Sequence, residues 1–381
     1  MNKKTKTLDQ IAGCVPLDLS DFDIPEEPQK KESQRYSDRQ FIAQNAEETR
    51  YIDCRFVNVT FEQCHFRKLH FERCVIDNVR VIACNVSEIN LVGCEIKDLA
   101  LTDSRVERCS LQQSKLKNTR WQRSLLIGLS LHQVNAEQMM LHEVQLSGWS
   151  AVSSSFYALS VTESIFNDGG WYKTQLMESE WQGGSWCRQA MIRCVLERVS
   201  YRNSDCAHAS WNDCDLLAVS LASLPLGAAS FIASRLTNSD FSGSDMAHAV
   251  MTKATIRHCL FEQATLYFCQ ATDALFDHCD LSNARFNQAQ LAGVKMVNCE
   301  VQGGDFSAAD LRQVQAHEVA FYNARSLLGA RLHGATGITP DKEAITSEPL
   351  LSRLEAWYEI NQPGVKTSAE EVVKAGGSRY V

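Results

Sequence analysis

Counting in fives from Tyr51 brings out the strongest pattern in the chain. Every fifth residue is apolar or aromatic: Tyr51, Phe56, Phe61, Phe66, Phe71, Ile76, Val81, Val86, Leu91, Ile96, Leu101, Val106 and Leu111 open the series. It is still in phase at Phe276, Leu281, Phe286, Leu291, Met296, Val301, Phe306, Leu311, Ala316 and Phe321. Between Tyr51 and Phe321 no member carries a charge, an amide or a simple hydroxyl, and its smallest members are Ala136, Ala151, Ala271, Ala316 and Cys206. A second series lies two residues ahead of the first and is small or apolar: Cys54, Val59, Cys64, Leu69 and Cys74 early, Ala264, Cys269, Ala274 and Cys279 late. The other three positions of each five are mostly polar. A helix repeats every 3.6 residues and a strand every 2, so neither fits. A coil with sides five residues long does fit, two residues of each side pointing inward and three facing solvent. Nothing interrupts the phase from 51 to 321.

The pattern changes at both ends. After Phe321 the phase slips by one residue to Leu327 and Leu332, and ATGITPD ends it. Ser347 then reads as the N-cap of a helix, which Gln362-Pro363-Gly364 stops. Leu350, Leu351, Leu354, Trp357 and Tyr358 form one apolar stripe on it. An open solenoid end needs a cover, so this helix is expected to plug the last coil, with Leu350, Leu354, Trp357 and Tyr358 as its contacts. Residues 1–45 hold Pro16, Pro25, Pro28 and the charge-rich run EEPQKKESQR, with isolated apolar residues and no period. They read as a flexible arm in which Leu17, Leu19, Phe22 and Ile24 are candidate docking anchors. The expected organisation is an arm over 1–45, a repeat region over 46–336, a capping-helix region over 337–363 and a flexible tail over 364–381.

Composition narrows the function classes. Only seven prolines occur, and Pro225 alone lies between Pro28 and Pro340, as an uninterrupted repeat requires. No apolar run is long enough for a transmembrane helix, so no membrane insertion is expected. The N-terminal residues MNKKTKTLDQIAG lack an apolar signal core, which leads to the expectation of a cytoplasmic protein. The net charge is −8, with basic residues in excess over 51–130 and acidic ones over 131–340. Neither part has the charge density of a dedicated nucleic-acid binder, and no direct nucleic-acid binding is expected.

The residues that invite chemistry have simpler readings. Of fifteen cysteines, those at 54, 64, 74, 84, 94, 109, 194, 214, 259, 269, 279 and 299 all fall in the small inward series, and no C-x-x-C occurs. They read as small core residues rather than metal ligands or disulfides. Trp149, Trp171, Trp181, Trp186 and Trp211 each neighbour a small residue such as Gly169 or Gly184, which suggests volume compensation in a core. His258 and His278 lie one coil apart and lack a third ligand at a suitable spacing. Asp240, Asp245, Asp280, Asp305 and Asp310 recur at a turn position and read as turn residues. No P-loop, G-x-G-x-x-G or G-x-S-x-G occurs. The expectation is a non-catalytic protein with no cofactor, no metal and no catalytic residue.

The segments SDFSG (239–243), SDMAH (244–248), CDLSN (279–283), ARFNQ (284–288), GDFSA (304–308) and ADLRQ (309–313) resemble the A-(D/N)-L-x-x consensus of the pentapeptide-repeat family. The resemblance implies an all-β fold, a right-handed quadrilateral parallel β-helix (a solenoid) closed by a C-terminal capping α-helix. Four pentapeptides per coil give about 13–14 coils, stacked roughly 4.8 Å apart into a rod on the order of 65 Å long. The core-stacking residues would then include Phe56, Phe61, Phe71, Leu91, Leu111, Phe276, Leu281, Phe286, Phe306 and Leu311. Residues one coil apart, such as Phe56, Ile76, Ile96 and Leu116, should stack. For function, the resemblance implies a protein-interaction scaffold or adaptor with unidentified protein partners. In length the chain resembles family members that accompany bacterial secretion systems, as type VI cargo adaptors or as secreted effectors, and the resemblance implies that the C-terminal helix can form a homodimer contact. The alternative within the family is a DNA mimic acting on DNA gyrase. The absence of projecting loops from 51 to 321 and the modest net charge count against it.

Overall fold

The structure, a computed structural model, describes residues 29–340 and 344–361. The described chain is almost entirely parallel β-structure, a right-handed quadrilateral β-solenoid of about 14 turns followed by one helix. Strand pairing advances by twenty residues. Tyr36 aligns with Phe56, Phe56 with Ile76, Ile76 with Ile96, and Ile96 with Leu116. Each coil therefore has four five-residue sides. The first side carries Tyr51, Phe71 and Leu91 inward, the second Phe56 and Ile76, the third Phe61 and Val81, and the fourth Phe66 and Val86.

Main-chain groups are satisfied between coils: Val75 N–H donates to Cys54 C=O, and Asp53 N–H donates to Glu72 C=O, both at 2.9 Å. The corner residue two positions after each inward centre takes a left-handed backbone. Asp53, Asn58, Gln63, Lys68 and Arg73 have φ between 51° and 54°, and the pattern recurs along the rod. Gly takes this corner at 93, 128, 148, 183, 243, 293 and 303.

The two halves build their sides differently. In the first half all four sides are extended. From about residue 220 only the second side keeps three-residue strands, as at Arg235–Thr237, Thr255–Arg257 and Leu275–Asp277. The others tighten into turns in which the next small residue donates to the centre carbonyl: Ala249 N–H to Met246 C=O and Ala284 N–H to Leu281 C=O, at 3.0 and 3.1 Å. The late core is solid, with Phe231, Phe241, Phe261, Phe286 and Phe306 buried and stacked in pairs, for example Phe286 on Phe306 at 5.0 Å. The early core is hollow along its axis, and Phe61, Phe66, Phe71, Val81, Val86 and Leu91 are only partly buried.

Both ends correct the sequence expectation. Strands β1 (Gln29–Glu32), β2 (Arg35–Ile42) and β3 (Asn45–Glu47) form a coil inside the segment assigned to an arm over 1–45. The five-residue phase does run back through Ala46, Phe41 and Tyr36, and only at Lys31, aligned with Tyr51, does a charged residue take the inward centre. At the other end the slip of one residue is real. Asp305 bridges Ser326 and Asp310 bridges Arg331, twenty-one residues on, and a 3-10 turn over Phe321–Asn323 absorbs the extra residue.

The helix α1 (Pro349–Asn361) does not seat its apolar stripe in the last coil. Leu350 is 74% exposed, and Leu354 and Trp357 are also exposed. It docks through polar groups instead. Arg331 donates twice to Glu348 at 2.7 Å, and His333 meets Glu355 at 3.0 Å. The last coil is filled by its own Phe321, Leu327, Ala330 and Leu332. The helix starts later than expected, since Ser352 N–H donates to Glu348 C=O at 3.0 Å. Glu348 thus holds the N-cap position in place of Ser347, with Pro349 at the first helical position, where its missing N–H is harmless.

Candidate functional site

With the backbone paired, the solenoid can meet a partner only through the outward side chains of its four flat sides. On the early coils these are mostly charges that neutralise each other vertically. Glu48 and Lys68 pair at 2.5 Å and Glu88 and Arg108 at 2.8 Å in one corner column. Asp53 accepts two bonds from Arg73 at 2.8 Å, and Asp103 accepts two from Arg123 at 2.7 and 2.9 Å. The arginine beside each carboxylate holds Asp53 and Asp103 below the usual aspartate range. Asp38, Asn58 and Asn78 add an amide ladder with 2.9 Å steps.

Mid-rod, the surface changes character. On the first side Val152, Tyr172, Ile192 and Asn212 align in one outward column, and Ile232 follows one coil on. The parallel column is Ser150, Gly170, Ala190, Ser210 and Ser230, so nothing tall stands beside the apolar side chains. On the adjoining second side Val195 stands next to the shared corner, while Tyr157, Met177, Glu197 and Leu217 form one column at its far edge. Tyr157 is 49% exposed and Ile192 43%, while Tyr172, Val195, Leu217 and Ile232 stand similarly clear. Ion pairs stand between the two sets of apolar side chains: Arg193 with Asp213 at 3.0 Å on the shared corner, and Asp215 with Arg235 at 2.5 Å in the column of Val195. The Lys173 ammonium lies 5.2 Å from the centre of the Tyr172 ring. Rigid aromatic and branched aliphatic side chains on a small-residue floor, interspersed with ion pairs, have the composition of a protein-binding face. The sequence reading missed this surface, because its signal is a spacing of twenty in the outward positions.

The other sequence-selected residues fall mainly in the interior. Phe56, Leu111, Phe276, Leu281, Phe286, Phe306 and Leu311 are buried, whereas Phe61, Phe71 and Leu91 are half-buried because they face the hollow stretch. Every described cysteine is a free thiol, and all but Cys187 are buried. Burial pushes Cys109 up to about 11 and Cys269 up to about 12. The tryptophan compensation works between coils rather than within a side. Trp149 occupies a small-series slot, and a Cβ on Gly169, one coil above, would lie 2.0 Å from its indole nitrogen. Trp149 and Trp171 pack edge to face at 4.7 Å.

His258 and His278 do stack, with ring centres 5.0 Å apart, and His278 is held by Asp277 and Asn298. Among the described residues no group of three or more His, Cys, Asp or Glu side chains is arranged to hold a metal. Asp240, Asp245, Asp280, Asp305 and Asp310 each accept the backbone N–H two residues on, at 2.9–3.2 Å. Leu17, Leu19, Phe22, Ile24 and the side chain of Tyr358 lie outside the described residues.

Comparison with known proteins agrees with this architecture. A family model described as a pentapeptide repeat region matches residues 45–121, and one described as pentapeptide repeats (8 copies) matches 226–263 and 274–313. The chain matches none of the curated proteins. Among solved structures it is similar to HetL, a pentapeptide repeat protein involved in heterocyst differentiation regulation from the cyanobacterium Nostoc sp. strain PCC 7120. Identity is 16%, the match covers 59% of this chain and 90% of HetL, and the TM-score is 0.35. QnrB1, a plasmid-mediated fluoroquinolone resistance protein, is similar at 13% identity over 57% of this chain and 100% of that one, with a TM-score of 0.30. The A-module of the mannuronan C-5 epimerase AlgE6 from Azotobacter vinelandii matches at 9% identity over 72% of this chain and 91% of the module, with a TM-score of 0.29. None is close enough to lend its role to this chain.

Proposed function

Because the chain belongs to the pentapeptide-repeat proteins, we propose that it is a non-catalytic scaffold that binds a protein partner across the mid-rod surface built by Tyr157, Tyr172, Ile192, Val195, Leu217 and Ile232. The observation that carries this reading is the register that sets Tyr172 and Ile192, with Ile232 further along, as exposed apolar side chains in one column of the first side. Monomeric proteins rarely leave such a surface unused. A rigid face also loses little ordering entropy when it binds.

The helix supplies a second contact. Leu350, Leu354 and Trp357 are spaced for one face of α1 and stand exposed, which suits a homodimer formed by two such helices. A secretion-system adaptor is one form that such a scaffold takes, and the identity of the captured partner tests it.

The test is capture of partners from the native cell with wild-type and Tyr172→Asp/Ile192→Asp protein. The double variant should keep its thermal midpoint and lose its main partner. Unchanged capture would overturn this surface. Inhibition of DNA gyrase supercoiling by the purified protein would replace the reading with the DNA-mimic alternative. Leu354→Lys should halve the mass measured by light scattering if α1 forms the dimer.

A further inference from the structure

The hollow in the early coils is a built cavity. Its volume is about 400 Å³, within the roughly 300–1,000 Å³ range of small-molecule sites. Its lining runs from Tyr36, Phe41 and Ala46 in the first described coil to Trp121, Leu126 and Leu129. The column Tyr36, Phe56, Ile76, Ile96 and Leu116 spans four coil steps, or about 19 Å. The space is therefore long, narrow and aligned with the rod axis. It exists because all four sides are extended here while the inward centres include the short, branched Ile76, Val81, Val86 and Val106, which do not reach the axis.

The polar groups of the lining gather at one end. Lys31, Gln44 and Asn45 all belong to the first described coil, and the lining beyond them is almost all Phe, Ile, Val and Leu, with Tyr51, Cys109 and Trp121 the exceptions that carry a polar group. Lys31 is the exception to the inward series: it stands in register with Tyr51, and its ammonium lies 5.5 Å from the centre of the Tyr51 ring. No ion pair to Lys31 occurs among the described residues. A partly exposed ammonium at the head of an apolar tube is placed to meet an anionic head group while the tail enters the tube. A tube lined by Phe, Ile, Val and Leu gains nothing from water and favours an apolar chain.

We propose that this tunnel binds a single-chain anionic amphiphile, a long-chain fatty acid or similar acyl carboxylate. Its tail lies along the axis, and its carboxylate accepts hydrogen bonds from Lys31 and the rim amides of Gln44 and Asn45. The shape excludes a two-chain lipid, and the single ammonium selects for a charged head over a neutral one.

Delipidated full-length protein titrated with palmitate, by calorimetry and by displacement of a fluorescent fatty acid, tests this. The expected result is saturable 1:1 binding. Lys31→Gln should weaken palmitate roughly tenfold while leaving binding of hexadecanol, the same chain without the charge, unchanged. Val86→Phe should block both ligands by filling the tube. If that variant fails to fold, the contrast between palmitate and hexadecanol in Lys31→Gln decides alone. Absence of saturable binding overturns the proposal. Equal loss of palmitate and hexadecanol in Lys31→Gln overturns the assigned orientation of the head group.

Discussion

Position within the pentapeptide decides what a substitution does. Phe276 and Phe306 fill the solid late core, and Phe→Ala at either should cost about 3–5 kcal/mol. Phe71 occupies the same position in its pentapeptide but faces the hollow, so Phe71→Ala should cost clearly less in urea unfolding. Equal losses at all three would contradict the hollow. The corners carry a second lesson. Ala233 has φ 57°, a conformation that disfavours residues with a Cβ, so Ala233→Gly should be neutral or stabilise by up to about 1 kcal/mol. The inward series was legible from sequence because one rule governs it throughout. The left-handed corners were not, because Arg73, Lys68 and Gln63 have no preference for that backbone. There the inter-coil hydrogen bonds impose the conformation, as Asp53 N–H to Glu72 C=O does at its corner. Thiol reactivity follows the same logic: Cys187 should label first among the described cysteines, and the buried ones only on unfolding.

For single elements, the terminal helix shows what local periodicity conveys and what it omits. The apolar stripe and the stop at Gln362-Pro363 were readable in the sequence. The direction in which the stripe faces was not, because it depends on whether the last coil is already full. Beside the His333–Glu355 contact, α1 is held by the pair Arg331 and Glu348, and the guanidinium keeps the Glu348 carboxyl below the usual glutamate range. A depressed carboxyl contributes stability that is present at neutral pH and disappears as pH falls through the folded-state value. Acidification below the usual glutamate range should therefore release α1 while the solenoid stays folded. Glu348→Gln should do the same at neutral pH. Faster tryptic cleavage after Arg353, with unchanged far-UV circular dichroism of the rod, would show it. The N-terminal boundary fell inside the expected arm for a related reason. Charge and proline content dominated the reading of 1–45, although Tyr36, Phe41 and Ala46 already kept the phase.

For the whole molecule, each coil touches only its neighbours, so stability is distributed along the rod rather than concentrated in a centre. The hollow early coils bury less apolar surface than the solid late ones. Native-state hydrogen exchange should therefore be fastest over the first coils and slowest from about 231 to 311. Uniform protection would argue against unequal packing. Saturating the tunnel with its ligand should narrow the difference, since occupancy stabilises only the folded state. The mid-rod surface lies between these zones, on coils whose inner faces are packed with Trp171, Trp181, Trp186 and Trp211, which stiffens the floor on which Tyr172 and Ile192 stand.

The constant step of twenty residues gives the rod the properties of a ruler. Removing one whole coil would shorten the molecule by about 4.8 Å and return every later side chain to the side it occupied before. Removing a single residue would carry every later pentapeptide out of phase and set polar side chains facing the axis. The chain tolerates one such miscount, at the 3-10 turn over Phe321–Asn323, where almost no solenoid remains beyond it to be misread. Length in this molecule is thus countable in whole turns, and a partner that spans the distance from the mid-rod surface to the helix must match an integer number of them.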